Sequence, residues 1–183
     1  MKSIGRLLGL LVVAVLGAAI AAAVLLFLVL PRLQWNATTR PSPGESWVAR
    51  YVLGKWIRAN APDEHNPLSP TADNLRDAEH EYDEHCAVCH GLDGNAQNRV
   101  GGDFYPPIPR LSRGAKFLTD GQVYFIVSNG IRMSAMPGFG TRHSPDELWK
   151  IILWVRHLPD LSPQERASIQ ARSQQQENGE GAH

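Results

Sequence analysis

Cys86-Ala87-Val88-Cys89-His90 is the stretch on which the fold of this chain turns. Its two cysteines stand three positions apart, close to one helical turn, so both thiols face the same way. C-x-x-C-H is the attachment signature of c-type haem. The thiols form thioethers to the two vinyl groups on one porphyrin edge, and the histidine reaches the iron as the proximal ligand. Other uses of the pair fit less well. A structural zinc site takes four ligands, yet the chain has only 2 cysteines, and its other histidines form no second pair at zinc spacing. A thioredoxin-like pair follows a strand in a βαβ pattern, whereas the residues before Cys86 read as a helix. A disulfide across so short a loop would be strained and would leave His90 without a role.

Toward the N-terminus, Leu7 to Leu30 is a run of 24 residues without a charge. That exceeds the roughly 20 needed to cross a bilayer and the about 7–15 of a cleaved signal peptide's apolar core. It predicts an uncleaved transmembrane anchor over residues 1–30, with a cleaved signal as the alternative. Lys2 and Arg6 favour a cytoplasmic N-terminus, while Arg32 and Arg40 on the other side weaken that signal. Because c-type haem is joined outside the bacterial cytoplasmic membrane, the remainder is expected on the periplasmic, external face. Trp35 stands where an interfacial aromatic anchor would. The chain holds 18 basic and 18 acidic residues. Without Lys2 and Arg6 the exported part carries a net charge of about −2, and no basic block suggests nucleic acid.

Residues 31–68 read as a linker that contains one amphipathic helix. Pro31 to Gly44 is rich in turn formers. Ser46 to Ala59 then places Val48, Tyr51, Val52, Trp56 and Ile57 on one helical face, expected to lie on the following domain rather than on the membrane surface. That domain spans residues 69–160. Ser69 is the expected cap of its first helix, with Pro70 at the first helical position. Leu75, Ala78, Tyr82 and Cys86 form an apolar stripe running into the motif, and Gly91 ends it. Gly91 to Ser112 is a long, turn-rich loop of the kind that needs something to wrap. Thr119-Asp120-Gly121-Gln122 and Ser144-Pro145-Asp146-Glu147 are capping boxes opening two further helices. Gly130 suits the end of the first, and Pro159 ends the second. Residues 161–183 read as a short helix and a disordered polar tail from Gln174. No strand is expected anywhere, so the fold class is all-α.

A haem iron in an electron carrier needs a second strong ligand. Apart from the initiator, the methionines are Met133 and Met136, both in the loop Gly130-Ile131-Arg132-Met133-Ser134-Ala135-Met136-Pro137-Gly138-Phe139-Gly140. A thioether favours ferrous iron and raises the reduction potential. Pro137 biases Met136 toward an extended backbone, which favours Met136 over Met133. A histidine ligand, from among His65, His80, His85, His143 and His157, is the other option.

Together these features resemble class I cytochrome c from about Ser69 to Pro159, in Cys86-Ala87-Val88-Cys89-His90-Gly91, Tyr105-Pro106-Pro107, Met136-Pro137 and the Asp146–Val155 segment. The anchor and linker look like those of membrane-bound bacterial cytochromes c. The resemblance implies one covalent haem c, ligated by His90 and Met136 and held by Cys86 and Cys89. It places Trp154 at a helix crossing where the family often has Gly opposite and this chain has Ala78. It implies a carbonyl of Pro106-Pro107 accepting the Nδ1–H of His90, with Pro107 therefore a cofactor contact, and Leu111 and Ile126 in the apolar haem wall. The expected role is that of a membrane-anchored carrier of single electrons between a redox donor and acceptor. A fixed subunit of a larger oxidoreductase or oxidase, or an open-site sensor or peroxidase-like protein, are the alternatives.

Overall fold

The apolar stripe before the haem-attachment motif becomes one wall of a helical core. The computed structural model describes residues 2–32, 36, 39–96 and 104–180. Trp35 and the Gly101-Gly102 turn lie outside the described residues. Helices α1 (Lys2–Val29), α2 (Pro43–Asn60), α3 (Ala72–His85), α4 (Ala87–His90), α5 (Leu111–Gly114), α6 (Asp120–Asn129), α7 (Pro145–His157) and α8 (Pro163–Glu180) follow in order, and no strand occurs among the described residues. The chain divides into two compact units, Met1–Thr39 and Arg40–His183.

The first unit is essentially α1. Its 28 residues rise about 42 Å as an α-helix. That is longer than the about 30 Å of a hydrocarbon core. The helix is long and apolar enough to cross a membrane, a property that N-terminal signal sequences share.

The second unit is built on α3 against α7. Ala78 and Tyr82 of α3 are completely buried, as are Ile151 and Ile152 of α7, with Trp154 and Leu148 nearly so. Tyr82 keeps its hydroxyl satisfied inside this core by donating to the Gly91 carbonyl at 2.9 Å. Burial pushes the phenol's pKa well above its usual value, so it remains a donor.

Both expected capping boxes form. Thr119 Oγ1 accepts from the Gln122 N–H while Gln122 returns to the Thr119 N–H, and Ser144 and Glu147 do the same. The start of α3 differs from expectation. Thr71, not Ser69, is the cap, its hydroxyl accepting from the Asn74 N–H at 3.2 Å. The Ser69 carbonyl is engaged in the preceding turn by the Thr71 N–H and by Asn74 Nδ2. The C-terminus also differs. Where a short helix and a tail from Gln174 are expected, α8 continues to Glu180. The Gln-, Glu-, Arg- and Ala-rich run has good helix propensity, and α8 gains tertiary support. Ile169 is buried in the core, and Arg172 pairs with both Glu79 and Asp83 of α3.

A polar clasp joins the connector before α3 to the rest. Arg156 Nε bonds Asp120 Oδ1 at 2.7 Å, and its other nitrogens donate to the carbonyls of Ala115 and Leu118. Asp120 also accepts from the Asn66 N–H, and Asn66 Nδ2 donates to the Trp149 carbonyl. Burial alone would raise the Asp120 pKa, but the Asn66 N–H and the Arg156 guanidinium outweigh it and hold it below its usual value. The connector passes so close that a Cβ on Gly121 would stand 1.9 Å from the Pro62 carbonyl oxygen. Only glycine fits there.

Helix α2 packs on α6, with Ile57 buried and the Trp56 ring 4.7 Å from that of Phe125. The expectation that its apolar residues lie on the domain holds for this end of the helix only. Trp47, Val48, Tyr51 and Val52 remain exposed.

Candidate haem site

Helix α3 ends at His85, one residue before the motif. Cys86 caps the single turn α4, and the N–H groups of Cys89 and His90 both return to the Cys86 carbonyl, at 3.1 and 2.9 Å. The stripe therefore reaches the motif through a break rather than as one continuous helix. Cys86 and Cys89 are free thiols. Gly91 closes the turn at φ 77°, and its N–H returns to Ala87. Cys86 belongs to the core, and burial, followed by the Cys89 and Asp83 charges, pushes its thiol pKa up to about 12.

His90 is buried, and burial lowers its imidazole pKa below the usual value against the opposing pull of a carbonyl. The ring is therefore neutral, the form that binds metal. The carbonyl facing Nδ1 is that of Pro109, at 3.3 Å, not one from Pro106-Pro107. Pro107 is exposed. The choice of Pro109 over Pro106-Pro107 is set just downstream. The Ser112 N–H donates to the Gly94 carbonyl, and Ser112 Oγ donates to Asn95 Oδ1 at 2.6 Å. This pin draws the end of the proline segment, rather than its start, against the turn that holds His90. With Nδ1 as donor to Pro109, Nε2 is left with its lone pair for iron. Leu111, the first residue of α5, packs against the core beside the pin.

The loop between α6 and α7 carries the two methionines to different places. Met136 packs against the core, whereas Met133 is 88% exposed, with a backbone φ of 60°. Ser134 shapes the turn between them. Its hydroxyl donates to the Ile131 carbonyl at 2.7 Å and accepts from the Met136 N–H at 3.1 Å. The Ile131 N–H in turn donates to the Met136 carbonyl at 3.0 Å. The return strand of the loop is tied to the end of α6 by Phe139 N–H to Val127 O and Gly140 N–H to Ser128 O, both 2.9 Å. Gly130 makes this closure possible. It sits at φ +67°, and a Cβ there would lie 2.5 Å from the Gly138 nitrogen and the Pro137 carbonyl carbon.

Four of the five histidines named as alternative ligands have other neighbours. His85 and His143 meet edge to face at 4.3 Å, His80 faces Glu84 at 3.4 Å, and His157 bonds Glu165 at 2.8 Å. Two free thiols one turn apart, a neutral imidazole oriented through Nδ1 and a half-sheltered thioether form a donor set that fits haem c. Sequence reasoning missed Pro109, Ser134 and the backbone contact at Gly130. Of these, only Ser134 carried a local signal, a hydroxyl two residues before Met136 in a turn.

Residues 73–155, just under half of the chain, match the family described as cytochrome C oxidase, cbb3-type, subunit III. No curated protein sequence matches. Among solved structures, a chain of the Kuenenia stuttgartiensis reducing HAO-like protein complex Kustc0457/Kustc0458 aligns at 25% identity over 53% of this chain and 50% of that one, with a TM-score of 0.45. The present chain thus spans about half the length of that relative. Residues 73–155 match a c-type cytochrome domain, and the described residues around it are helical, with an apolar helix at the N-terminus.

Proposed function

We propose that this chain is a membrane-anchored, mono-haem c-type cytochrome that passes single electrons between redox proteins at the outer face of the bacterial cytoplasmic membrane. Two observations support the reading: a buried His90 with its Nδ1 engaged by Pro109, and a Met136 held against the core by its own loop. Bound through Cys86 and Cys89, haem c supplies a one-electron iron couple. The chain's part is to hold its donors still. Pro109 fixes the imidazole plane, and the Ser134 hydrogen bonds fix the backbone of Met136. A thioether on that side raises the potential relative to a second imidazole. With both axial donors supplied by the protein, no coordination position is left for a substrate, and the role is that of a carrier rather than an enzyme. Helix α1 would confine the domain near membrane partners and raise its effective concentration there.

A second reading has its own support. The family matched by residues 73–155 is described as an oxidase subunit, so the same domain would serve as a fixed electron-transfer subunit of a larger oxidoreductase. Stoichiometric co-purification in mild detergent favours that reading, and isolation as a single chain favours the carrier.

The test of the site is the visible spectrum of the protein matured with haem c, reduced and oxidised. Sharp split bands when reduced, together with a weak far-red sulfur–iron band when oxidised, are expected. A c-type spectrum without the sulfur band, with carbon monoxide binding to the reduced form, overturns Met136 ligation and leaves an open-site protein.

A further inference from the structure

Helix α2 has two apolar faces, and the cytochrome domain uses only one. On the used side Ile57 is buried, Leu53 is half-buried and Trp56 packs on Phe125. Near the start of the helix, the Ser46 hydroxyl lies 3.4 Å from that of Tyr105. On the other side stand Trp47, Val48, Tyr51 and Val52, at 63%, 51%, 51% and 57% exposure. The pairs 47/51 and 48/52 are each four residues apart, so the four side chains make one strip. The Trp47 and Tyr51 rings stack at 5.4 Å, and the Lys55 ammonium stands 5.9 Å from the Tyr51 ring centre. A surface helix ordinarily turns its apolar residues inward. A second, contiguous strip left in solvent marks an interaction surface.

We infer that this strip is a lipid-docking face, which seats α2 in the headgroup layer of the same membrane that α1 spans. The inference rests on the anchor reading of α1. Its chemistry is that of an interfacial helix: Trp and Tyr at the polar–apolar boundary, valines beneath, and basic residues around them. Arg50, Lys55 and Arg58 are the cations of α2, against Glu45 as its one acid, a balance complementary to anionic headgroups. Chain length supports the same occupant. Residues 33–42 separate Arg32 from Pro43, and ten residues reach at most about 35 Å when fully extended. A bilayer surface is therefore always within reach of the strip, whereas a protein partner has to arrive by diffusion. Because the opposite face of α2 is packed on α6, lipid contact through Trp47 and Val52 would set the orientation of the haem domain, which the α1 anchor alone would not specify.

The test uses the full-length haem-loaded protein in phosphatidylcholine vesicles containing phosphatidylglycerol, with nitroxide labels at Val52→Cys, Ala19→Cys and Asp160→Cys in separate variants. Oxygen, which partitions into lipid, and a water-soluble nickel chelate are the relaxing agents. The expected result is a lipid-like oxygen preference at positions 52 and 19 and a nickel preference at position 160. Lipid-like behaviour at 19 with aqueous behaviour at 52 overturns the docking face and leaves the anchor standing. Aqueous behaviour at 19 overturns the anchor reading, and the docking face with it. Shielding of position 52 from both agents overturns lipid in favour of a covering protein. Val48→Cys reports on the same strip if Val52→Cys fails to fold.

Discussion

The two sides of the haem site are built in opposite ways. On the His90 side, both thiols proposed to attach haem and the proposed axial imidazole come from five consecutive residues, and one turn of helix sets their geometry. On the Met136 side, the proposed ligand stands on a loop whose shape comes from contacts with its own backbone and with the end of α6: Ser134 inside the turn, Gly130 at its root, and Val127 and Ser128 carbonyls outside. With haem attached as proposed, the first side would be covalent and local, and it would tolerate a loosening of the fold. The second exists only while the loop stays closed. Perturbations of the fold should therefore cost the sulfur ligand long before they cost the haem.

The largest effect lies on the covalent side. Replacing Cys86 and Cys89 together with Ala removes covalent haem altogether, read as loss of haem stain on the denatured polypeptide. Next comes Met136→Ala, which lowers the reduction potential by on the order of 0.1 V and opens the sixth position to carbon monoxide. Met133→Ala leaves both readouts where they were, since that side chain is in solvent. The reverse pattern would exchange the two methionines in the assignment.

Gly130→Ala sharpens the contrast further. Its strained φ and the backbone contacts at the new Cβ destabilise the closed loop by about 1–3 kcal/mol. The far-red sulfur–iron band then melts at lower temperature than in the parent while covalent haem content is unchanged. Ser134→Ala acts the same way but more weakly, by about 1 kcal/mol for its lost hydrogen bonds. Loss of haem from either variant would show that the two sides are not independent.

The smallest effect concerns α8, which braces the α3 side. The Ser162 hydroxyl, then His157 and the Ser162 N–H, hold the Glu165 carboxyl down to about 2 from its usual 4.5. A depressed folded-state pKa gives stability that is complete above 4.5 and lost as pH falls toward 2. Glu165→Gln is therefore less stable than the parent at neutral pH in denaturant titrations, and the difference shrinks to nothing as pH approaches the folded value. A constant difference across that window would place the effect elsewhere.

Legibility in the sequence followed the same division. Cys86, Cys89 and His90 were readable because their relation is fixed by spacing alone, and the caps at Thr119 and Ser144 because a capping box spans four consecutive residues. The stripe from Leu75 to Tyr82 revealed the buried face of α3 by helical period. What escaped depends on where distant segments end up. Pro107 and Pro109 are equally plausible acceptors until Ser112 is seen pinned to Gly94 and Asn95. The cap of α3 shifted from Ser69 to Thr71 because the turn before it engages the Ser69 carbonyl. The length of α8 depends on Arg172 finding Glu79 and Asp83, residues about ninety positions away. Helical period alone did not reveal that the apolar residues of α2 divide between a packed side and an exposed one.

The burial of Cys86 also says something about the order of events in the making of this protein. Folded with its thiol still free, Cys86 has its sulfur in the core, where burial pushes the thiol pKa up to about 12. A thiol in that condition is a poor nucleophile. The core that encloses it includes α7, which begins more than fifty residues later at Pro145. A chain emerging N-terminus first thus presents Cys86, Cys89 and His90 to the attachment chemistry while their covering helix is still to come. On the proposed attachment through Cys86 and Cys89, the thioethers would form more readily before α7 covers the motif than after.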